Sequence, residues 1–316
     1  MNQISKIVWL DDSSQSREKY NSIFSKIKLS NIPQIWDYGT VKKNTEKSGL
    51  LRGIIKAGND DAGVVQILIK KKCGIPVAAR LNRGPLLLES YDNSYNQIVV
   101  LQIVRKKIPR PIPLLCAPNM ESMPENIALL TNYNWKQWNP YGYETGVIDL
   151  SKTIDEIRKD FDSKWRNQLK ASEKMNLDIH EGFERFDEIV DIYEDSQKEK
   201  GYRGIPRDVL YALRNLQKSP LNVFYLTNDA GEIIAFDIFY STVNFGLYFV
   251  GWNDDEGRRM YVNNLLLFHA ICFFKEKGTH WFDLGGIDYI NTEENARFKD
   301  GMRPKHIRLV GEFIKF

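Results

Sequence analysis

The clearest hydrophobic pattern lies in the second half of the chain. Apolar residues at 154, 157, 161, 165 and 169 recur at helical spacing among charged neighbours, which predicts an amphipathic helical segment. A short strand at 177–182 and helical stretches at 185–200 and 206–219 follow, the last with Pro206 in its first turn. The pattern then predicts three strands with hairpin-like separators, a largely apolar helix at 263–278, a strand, a polar helix and a final strand at 307–316.

This order of elements resembles that of the GNAT acyltransferase fold. The first half repeats it more loosely, with strands, a helix at 90–107 and a second helix at 123–133 in comparable places. We therefore expect an α/β (α+β) protein of two tandem GNAT-like domains, each a mixed sheet flanked by helices. The first domain is expected at 1–149, and the second, with the main acyltransferase motifs, at 150–316.

Composition and charge narrow the class of protein. The chain is 42% hydrophobic and 27% charged, which is typical of a globular protein with a real core, and its net charge of +3 suits anionic substrates without indicating DNA. Three widely spaced cysteines fit neither a disulfide framework nor a metal site. No apolar run is long enough for a signal peptide or a membrane span, so we expect a cytoplasmic protein.

Two motifs near the C-terminus point to a ligand site. The sequence DLGGID at 283–288 places Gly285 and Gly286 where a strand meets a turn, and glycines there permit positive φ and a close approach of backbone to a ligand. A tight turn without function would use the same residues. Phe298 and Lys299 follow on a helix or helix end, where a lysine is either solvated or functional.

Three other positions have both a structural and a functional interpretation. Arg207 and Tyr211 share a helix face at i and i+4, as a phosphate clamp or a plain surface pair would. Asp237 interrupts an apolar strand and must be paired, protonated or facing a cleft, because burying a free carboxylate is costly. Arg83 lies beside Gly84 and Pro85, either at a binding loop or at the end of an edge strand.

Several catalytic signatures are missing from the sequence. It contains no GxSxG, HExxH or GxxxxGK[ST] motif. The loop before the apolar helix, DDEGRRMYVNN, also lacks the Q/R-x-x-G-x-G/A pattern with which ordinary GNAT enzymes present backbone N–H groups to the pyrophosphate of acetyl-CoA. This absence argues against a standard acetyl-CoA enzyme.

Taken together in order, these stretches resemble the FemABX peptidoglycan bridge-forming aminoacyltransferases and their GNAT-like relatives. The resemblance covers nearly the whole chain and rests on QIWDYGTVKK, RGPLL, KWRNQLKASEKMNL, GYRGIPRDVLY, GTHWFDLGGID, RFKDG and VGEF. It implies two GNAT-like domains with a substrate channel between them, and a last strand, 307–316, that returns to the first domain in some members. The implied reaction transfers an aminoacyl group from aminoacyl-tRNA to an amine of a phosphate-bearing cell-wall precursor, with no bound cofactor.

The resemblance also implies roles for individual residues. The lysine of the family's Phe-Lys motif matches Lys299, which is expected near the reacting ester and the substrate phosphate. A lysine that contacts the nucleotide diphosphate matches Lys42, or Lys43 in a shifted register. The implied set of substrate-binding residues comprises Lys42, Arg83, Arg207, Tyr211, Tyr248, Gly285, Gly286 and Phe298.

One departure from the family keeps other functions open. Several members carry Asp-Pro where this chain has Ala117-Pro118, so a general base proposed at that aspartate is absent. The alternatives are an N-acyltransferase that uses acyl-CoA or a carrier thioester in envelope polysaccharide synthesis, and a non-catalytic module that binds a sugar nucleotide. Contact with a membrane surface is expected only through a lipid-linked substrate.

Overall fold

The computed structural model describes residues 3–316, which form two compact units. One unit comprises the chain up to Glu144 together with Ile307–Phe316, and the other comprises Thr145–His306. Each unit is a mixed sheet flanked by helices, so the α/β class and the mixed sheets expected from the sequence are confirmed.

The elements are numbered in chain order. The first half contains β1 (Ile4–Trp9), α1 (Ser14–Phe24), a 3₁₀ turn (Ile32–Gln34), α2 (Trp36–Thr45), β2 (Gly49–Ala57), β3 (Asp60–Lys72), β4 (Ile75–Asn82), β5 (Leu86–Leu87), α3 (Ser94–Lys107), β6 (Leu114–Ala117), α4 (Pro124–Asn132) and β7 (Lys136–Asn139). The second half contains β8 (Glu144–Asp149), α5 (Ile154–Asp160), α6 (Ser163–Glu173), β9 (His180–Glu181), α7 (Phe186–Lys200), α8 (Arg207–Arg214), β10 (Leu221–Thr227), β11 (Ile233–Ser241), β12 (Phe245–Asn253), α9 (Asp255–Arg259), α10 (Val262–Glu276), β13 (Trp281–Gly286), α11 (Glu293–Asp300), β14 (Lys305–Arg308) and β15 (Glu312–Lys315).

The two sheets have related but different strand orders. The sheet of the first unit runs β1-β2-β3-β4-β6-β15-β7, with β5 also paired to β3. The other sheet runs β14-β8-β13-β12-β11-β10-β9. In it β10, β11 and β12 form the antiparallel meander that the hairpin signals predict, and β12 pairs in parallel with β13.

The helical stripe at 153–175 is divided between two helices. Thr153 and Glu156 form a capping box at the start of α5, and the side chain of Asp162 accepts a hydrogen bond from the backbone N–H of Trp165 to begin α6. Phe161 and Trp165 on either side of the break are both buried and pack edge to face at 4.5 Å. The apolar stripe therefore stays continuous although the backbone does not.

Three sequence-based expectations need correction. The stretch at 307–316 is not one strand but parts of β14 and β15, because Gly311 between them has φ +95° and turns the chain. The short elements β7 and α9 were not predicted, since four or five residues are too few to show a hydrophobic period. Pro206 is the N-cap of α8 rather than a residue of its first turn.

The last strand lies inside the sheet of the first unit. Phe313 of β15 pairs with Cys116 of β6 on one side and with Gln137 of β7 on the other, both antiparallel. Its side chain is fully buried in the core formed by the first sheet with α3 and α4. The C-terminal residues therefore complete a sheet whose other strands all precede residue 140.

The second unit has its own core beneath the meander. Helix α10 is apolar along most of its length and buries residues such as Leu266, Ile271 and Phe274 against Phe239 and Phe282 of the sheet. Among residues 3–316, no helix has the length and apolar character needed to cross a bilayer.

Candidate functional site

The site is centred where β12 and β13 separate. The two strands pair only at Phe245–Trp281, Gly246–Phe282 and Leu247–Asp283, after which both continue without pairing to each other. At the same point β12 contains a bulge, because Phe239 of β11 faces Tyr248 whereas Ile238 faces Val250. The divergence and the bulge open the middle of the sheet and direct Tyr248 toward the opening.

Lys299 lies at this divergence. It is on the buried face of α11 together with Ala296, and only 5% of its surface is exposed. Its Nζ donates a hydrogen bond of 2.7 Å to the carbonyl of Gly286 and stands 5.4 Å from the centre of the Tyr248 ring. Burial lowers the pKa of Lys299 from 10.5 to about 8, against the opposing effect of nearby Asp283 and Asp237. The sequence left open whether Lys299 is solvated or functional, and the structure shows that its side chain is buried.

The two glycines at the end of β13 shape the backbone around this cation. Gly285 has φ +71°, and a Cβ there would lie 2.7 Å from the carbonyl oxygen of Tyr248 and 3.8 Å from Nζ of Lys299. Its N–H donates to Asp283 at 2.8 Å, and the single hydroxyl proton of Thr145 is shared between Asp283 and the carbonyl of Gly285. The turn leaves the Gly286 carbonyl aimed at the ammonium.

A second ionisable pair adjoins Lys299. Asp237 on β11 is completely buried, and the hydroxyl of Tyr248 lies beside its carboxyl group. Within residues 3–316, neither oxygen of Asp237 receives a hydrogen bond of ordinary length and angle. Burial raises the pKa of Asp237 well above its usual range, while Tyr248 and Lys299 act in the opposite direction. Burial, and then the adjoining Asp237, likewise raise the pKa of Tyr248.

An open cleft of about 870 Å³ borders this group of side chains. Its wall includes Tyr248 and Gly251 of β12 and Phe298 of α11, with Phe298 packed 6.1 Å from the Trp165 ring. The rest of the wall is rich in amide and cationic side chains: Gln168, Lys200, Asn253, Arg258, Asn263, Asn264, Asn291 and Asn295. The cleft therefore offers many neutral hydrogen-bonding groups to a polar ligand.

The loop before α10 is folded as the short helix α9. Asp254 caps it by accepting a hydrogen bond of 2.7 Å from the backbone N–H of Gly257. Asp255 and Glu256 follow in its first turn, and Arg258 pairs with Asp255 at 3.1 Å. Carboxylates thus occupy the N-terminal end of α9, whereas α10 begins after Tyr261 without a capping side chain or an acidic residue in its first turn.

Arg207 and Tyr211 lie on α8 and contact acidic residues of α7. The guanidinium of Arg207 forms ion pairs with Asp191 and Glu194, and these hydrogen bonds raise its pKa. The Tyr211 hydroxyl donates to Asp187 at 2.7 Å. The structure therefore places both predicted phosphate-binding side chains against carboxylates of their own unit.

The predicted residues of the first unit lie apart from one another along its chain. Lys42 on α2 pairs with Glu46 one turn later and lines a cavity of about 250 Å³ that also contains Lys70 and Arg80. Arg83 follows β4 with φ +48°, and its guanidinium stacks 4.1 Å from the centre of the Tyr143 ring. In this cavity Lys42 joins two other cations around an open volume, together with its ion-pair partner Glu46.

Sequence reasoning missed several groups at the divergence. Thr145 and Asp283 fix the glycine turn, but Thr145 belongs to no motif and the role of Asp283, the first residue of DLGGID, as an acceptor in the turn was not predicted. Asn263 and Asn264 at the start of α10 line the cleft, and each has one buried amide atom without a partner among residues 3–316. The adjacent asparagines in an otherwise apolar helix were the available signal. No cluster of three or more His, Cys, Asp or Glu side chains suitable for a metal occurs in the described chain.

The geometry can be compared with known proteins. Residues 156–300 match the family described as Acetyltransferase (GNAT) domain. The second unit is a GNAT acyltransferase domain. No curated protein matches the sequence.

Solved structures extend the likeness of the GNAT domain to the whole chain. The crystal structure of FemX is 13% identical, with a TM-score of 0.77 over 97% of this chain and 96% of that one. The C-terminal domain of a protein from Agrobacterium fabrum, titled "Putative Lysylphosphatidylglycerol Synthetase", is 13% identical with a TM-score of 0.58, covering 95% of this chain and 91% of that one. A tandem GNAT protein from the clavulanic acid biosynthesis pathway is 10% identical with a TM-score of 0.56, covering 98% of both chains. At these identities the likeness is one of fold.

Proposed function

We propose that the protein transfers an aminoacyl group from aminoacyl-tRNA to an amine of a phosphate-bearing cell-envelope precursor, such as a peptidoglycan precursor, and forms an amide. The observation that carries this proposal is the buried Lys299 ammonium where β12 and β13 separate, next to the 870 Å³ cleft. A cation held there without water can stabilise negative charge on a carbonyl oxygen more strongly than it could in solvent.

The reaction needs no covalent enzyme intermediate. The acceptor nitrogen attacks the carbonyl carbon of the donor ester, a C–N bond forms, and negative charge collects on the carbonyl oxygen. Lys299 supplies the positive charge for that oxygen, a contribution of roughly 3 kcal/mol for a single well-aimed donor. The C–O bond of the ester then breaks, and the leaving oxygen takes the proton that the amine has lost. The cleft holds both reactants and so provides the proximity effect.

The choice of an aminoacyl ester over acyl-CoA rests on helix α9. The carboxylate of Asp254 accepts the hydrogen bond of the Gly257 N–H. Asp255 and Glu256 place two more carboxylates at the same helix end. A pyrophosphate there would meet repulsion instead of free N–H groups. The amide-rich wall of the cleft suits a donor that presents neutral polar groups, which is what the terminal nucleoside of a charged tRNA would do.

The acceptor class rests on cations that face open volume. Lys42, Lys70 and Arg80 line the cavity of the first unit and fit a phosphate-bearing molecule, which would compete with the present ion pairs of Lys42 with Glu46 and of Arg80 with Glu312. Arg207 and Tyr211 would join such an acceptor only by exchanging their present carboxylate partners for phosphate oxygens. The fold shared with FemX and with a lysylphosphatidylglycerol synthetase supports the same choice. In this proposal the protein acts in the cytoplasm, uses no bound cofactor or DNA, and approaches a membrane only through a lipid-linked acceptor.

A donor panel tests the proposal. Labelled aminoacyl-tRNAs and acyl-CoAs are supplied in parallel with UDP-linked and lipid-linked amine precursors, and amide formation is followed. We expect transfer from aminoacyl-tRNA, and about a 10²-fold loss of rate in Lys299→Met. Lys170→Met, which changes an exposed lysine on α6, is the matched control and should keep full activity. Transfer from acyl-CoA alone would establish the N-acyltransferase alternative instead.

A further inference from the structure

We propose that Asp237 is the proton acceptor of the site and that it acts through the hydroxyl of Tyr248. Asp237 is a positioning residue in this role, since it contacts Tyr248 and not the cleft. The inference rests on the proposed acyl transfer, and it assigns the proton step that the missing Asp-Pro aspartate, replaced here by Ala117-Pro118, leaves without a residue.

The fully buried carboxyl group of Asp237 is connected to the cleft through the side chain of Tyr248. Asp237 and Gly251 face each other across β11 and β12. A Cβ on Gly251 would overlap the Tyr248 hydroxyl and lie 2.6 Å from Oδ1 of Asp237, so the hydroxyl occupies space that only a glycine leaves free. Tyr248 and Gly251 both line the cleft, whereas Asp237 has no exposed surface. The phenol is therefore the contact between Asp237 and anything bound in the cleft.

The scarcity of polar partners around Asp237 is the second observation. A fully buried carboxyl group whose polar contact is the hydroxyl of Tyr248, and which receives no other hydrogen bond from residues 3–316, costs several kcal/mol as an ion, so a structure keeps one where it serves a reaction or where a ligand completes it. The next side chains on its own face of β11, Ala235 and Phe239, are buried and apolar. The charged or titratable groups that act on it are Tyr248 from β12 and Lys299 from α11. Asp283 acts on Lys299, and Tyr202 acts on Tyr248.

Tyr248 and Asp237 together take up and return the proton that the step releases. As the acceptor nitrogen bonds to the carbonyl carbon, it releases a proton to the Tyr248 oxygen, and Tyr248 passes its own proton to the Asp237 carboxylate. When the tetrahedral adduct collapses, the carboxylic acid returns a proton through Tyr248 to the leaving oxygen. A buried carboxylate is a stronger base than an exposed one, because burial raises its pKa toward that of the groups it serves. Lys299 keeps the opposite charge beside it and holds the oxyanion.

The activity test uses Asp237→Asn, Tyr248→Phe and the double variant in the full-length protein. In the wild type the rate should rise with pH as Asp237 ionises and fall through about pH 8 as Lys299 loses its proton. Asp237→Asn should lower the rate 10²- to 10⁴-fold and remove its part of the rising limb while the falling limb stays. The double variant should be no slower than the worse single variant, because the two residues act as one unit.

Two controls separate proton transfer from a structural effect. Asp229→Asn makes the same chemical change at an exposed turn of the same hairpin and should leave the pH profile unchanged. Gly251→Ala keeps every titratable group but displaces the Tyr248 hydroxyl, and it should reproduce the loss seen in Tyr248→Phe. An Asp237→Asn variant with the wild-type pH profile, or additive effects of the two single variants, would overturn the inference.

A substrate-free measurement keeps the inference testable if no donor is turned over. Infrared difference spectra of wild type against Asp237→Asn report the C=O band of a protonated Asp237 as a function of pH. We expect that band to persist well above the ordinary titration range of an aspartate and to move in Tyr248→Phe. An Asp237 that titrates in the ordinary range, or that does not respond to Tyr248→Phe, rejects the inference. Failure of every donor with the expected infrared result would reject the proposed function alone.

Discussion

The substitution Lys299→Met separates what the buried charge costs the fold from what it contributes to the reaction. Burial lowers the pKa of Lys299 from 10.5 to about 8. Below pH 8 the lysine is protonated in both the folded and the unfolded chain, and the folded state bears the full cost of the buried ammonium. At about 1.36 kcal/mol per pKa unit this cost is about 3 kcal/mol. Between pH 8 and 10.5 the unfolded chain binds more protons, so the cost is relieved as the pH rises through that window.

The assay is urea unfolding of the wild type and of Lys299→Met at about pH 7 and about pH 10. The variant leaves the Gly286 carbonyl without its donor, a penalty of about 1–3 kcal/mol that is the same at both pH values. The difference in unfolding free energy between variant and wild type should therefore shift by about 2.5 kcal/mol, in favour of the variant at the lower pH. Lys170→Met on the surface should show no such shift. An equal difference at both pH values would refute the burial of a charged Lys299.

Three further predictions concern other residues. Gly285→Ala should destabilise the protein by about 1–3 kcal/mol more than Gly231→Ala in urea unfolding, because both glycines have positive φ but only Gly285 has a backbone oxygen at 2.7 Å from a new Cβ. Arg207→Ala should raise the KM for the phosphate-bearing acceptor at least tenfold with little change in kcat, whereas Arg185→Ala, which removes a similar arginine–carboxylate pair, should leave KM unchanged in steady-state assays. Arg52→Met should cost about 3–5 kcal/mol by chemical denaturation, since Arg52 is 3% exposed and donates to a glutamine, an aspartate, a threonine and a backbone carbonyl.

The strongly periodic elements of the fold could be predicted from the sequence. The meander β10–β12 and helix α10 each bury a long apolar stretch, so their hydrophobic pattern is set by the core they form. The break at Gly311 could not be predicted, because the sequence of an apolar strand does not show whether a glycine in it will adopt an extended conformation or φ +95°. The short strand β7 is held by pairing with β15, a partner from the far end of the chain.

Only part of the candidate site could be predicted from the sequence, for a related reason. A lysine on a polar helix carries no sign that it will be buried, and the burial of Lys299 depends on the divergence of β12 from β13. Asp237 could be singled out because it interrupts an apolar strand. Tyr248 was named only through the family resemblance, and its proximity to Asp237 could not be predicted, since that depends on the register of β11 on β12 and on the bulge between them. The local sequence pattern can identify an unusual residue such as Asp237, whereas the register between strands determines which side chains contact it.

The position of β15 delays the completion of the first sheet during synthesis. Residues 145–306 are synthesised between β7 and β15, so the sheet of the first unit cannot close until the whole of the second unit has been made. The earlier unit waits with β6 and β7 as open edges, which are liable to pair with other chains. Loss of β15 would leave the residues of the second unit intact in sequence, yet it would yield a chain prone to aggregation and rapid degradation.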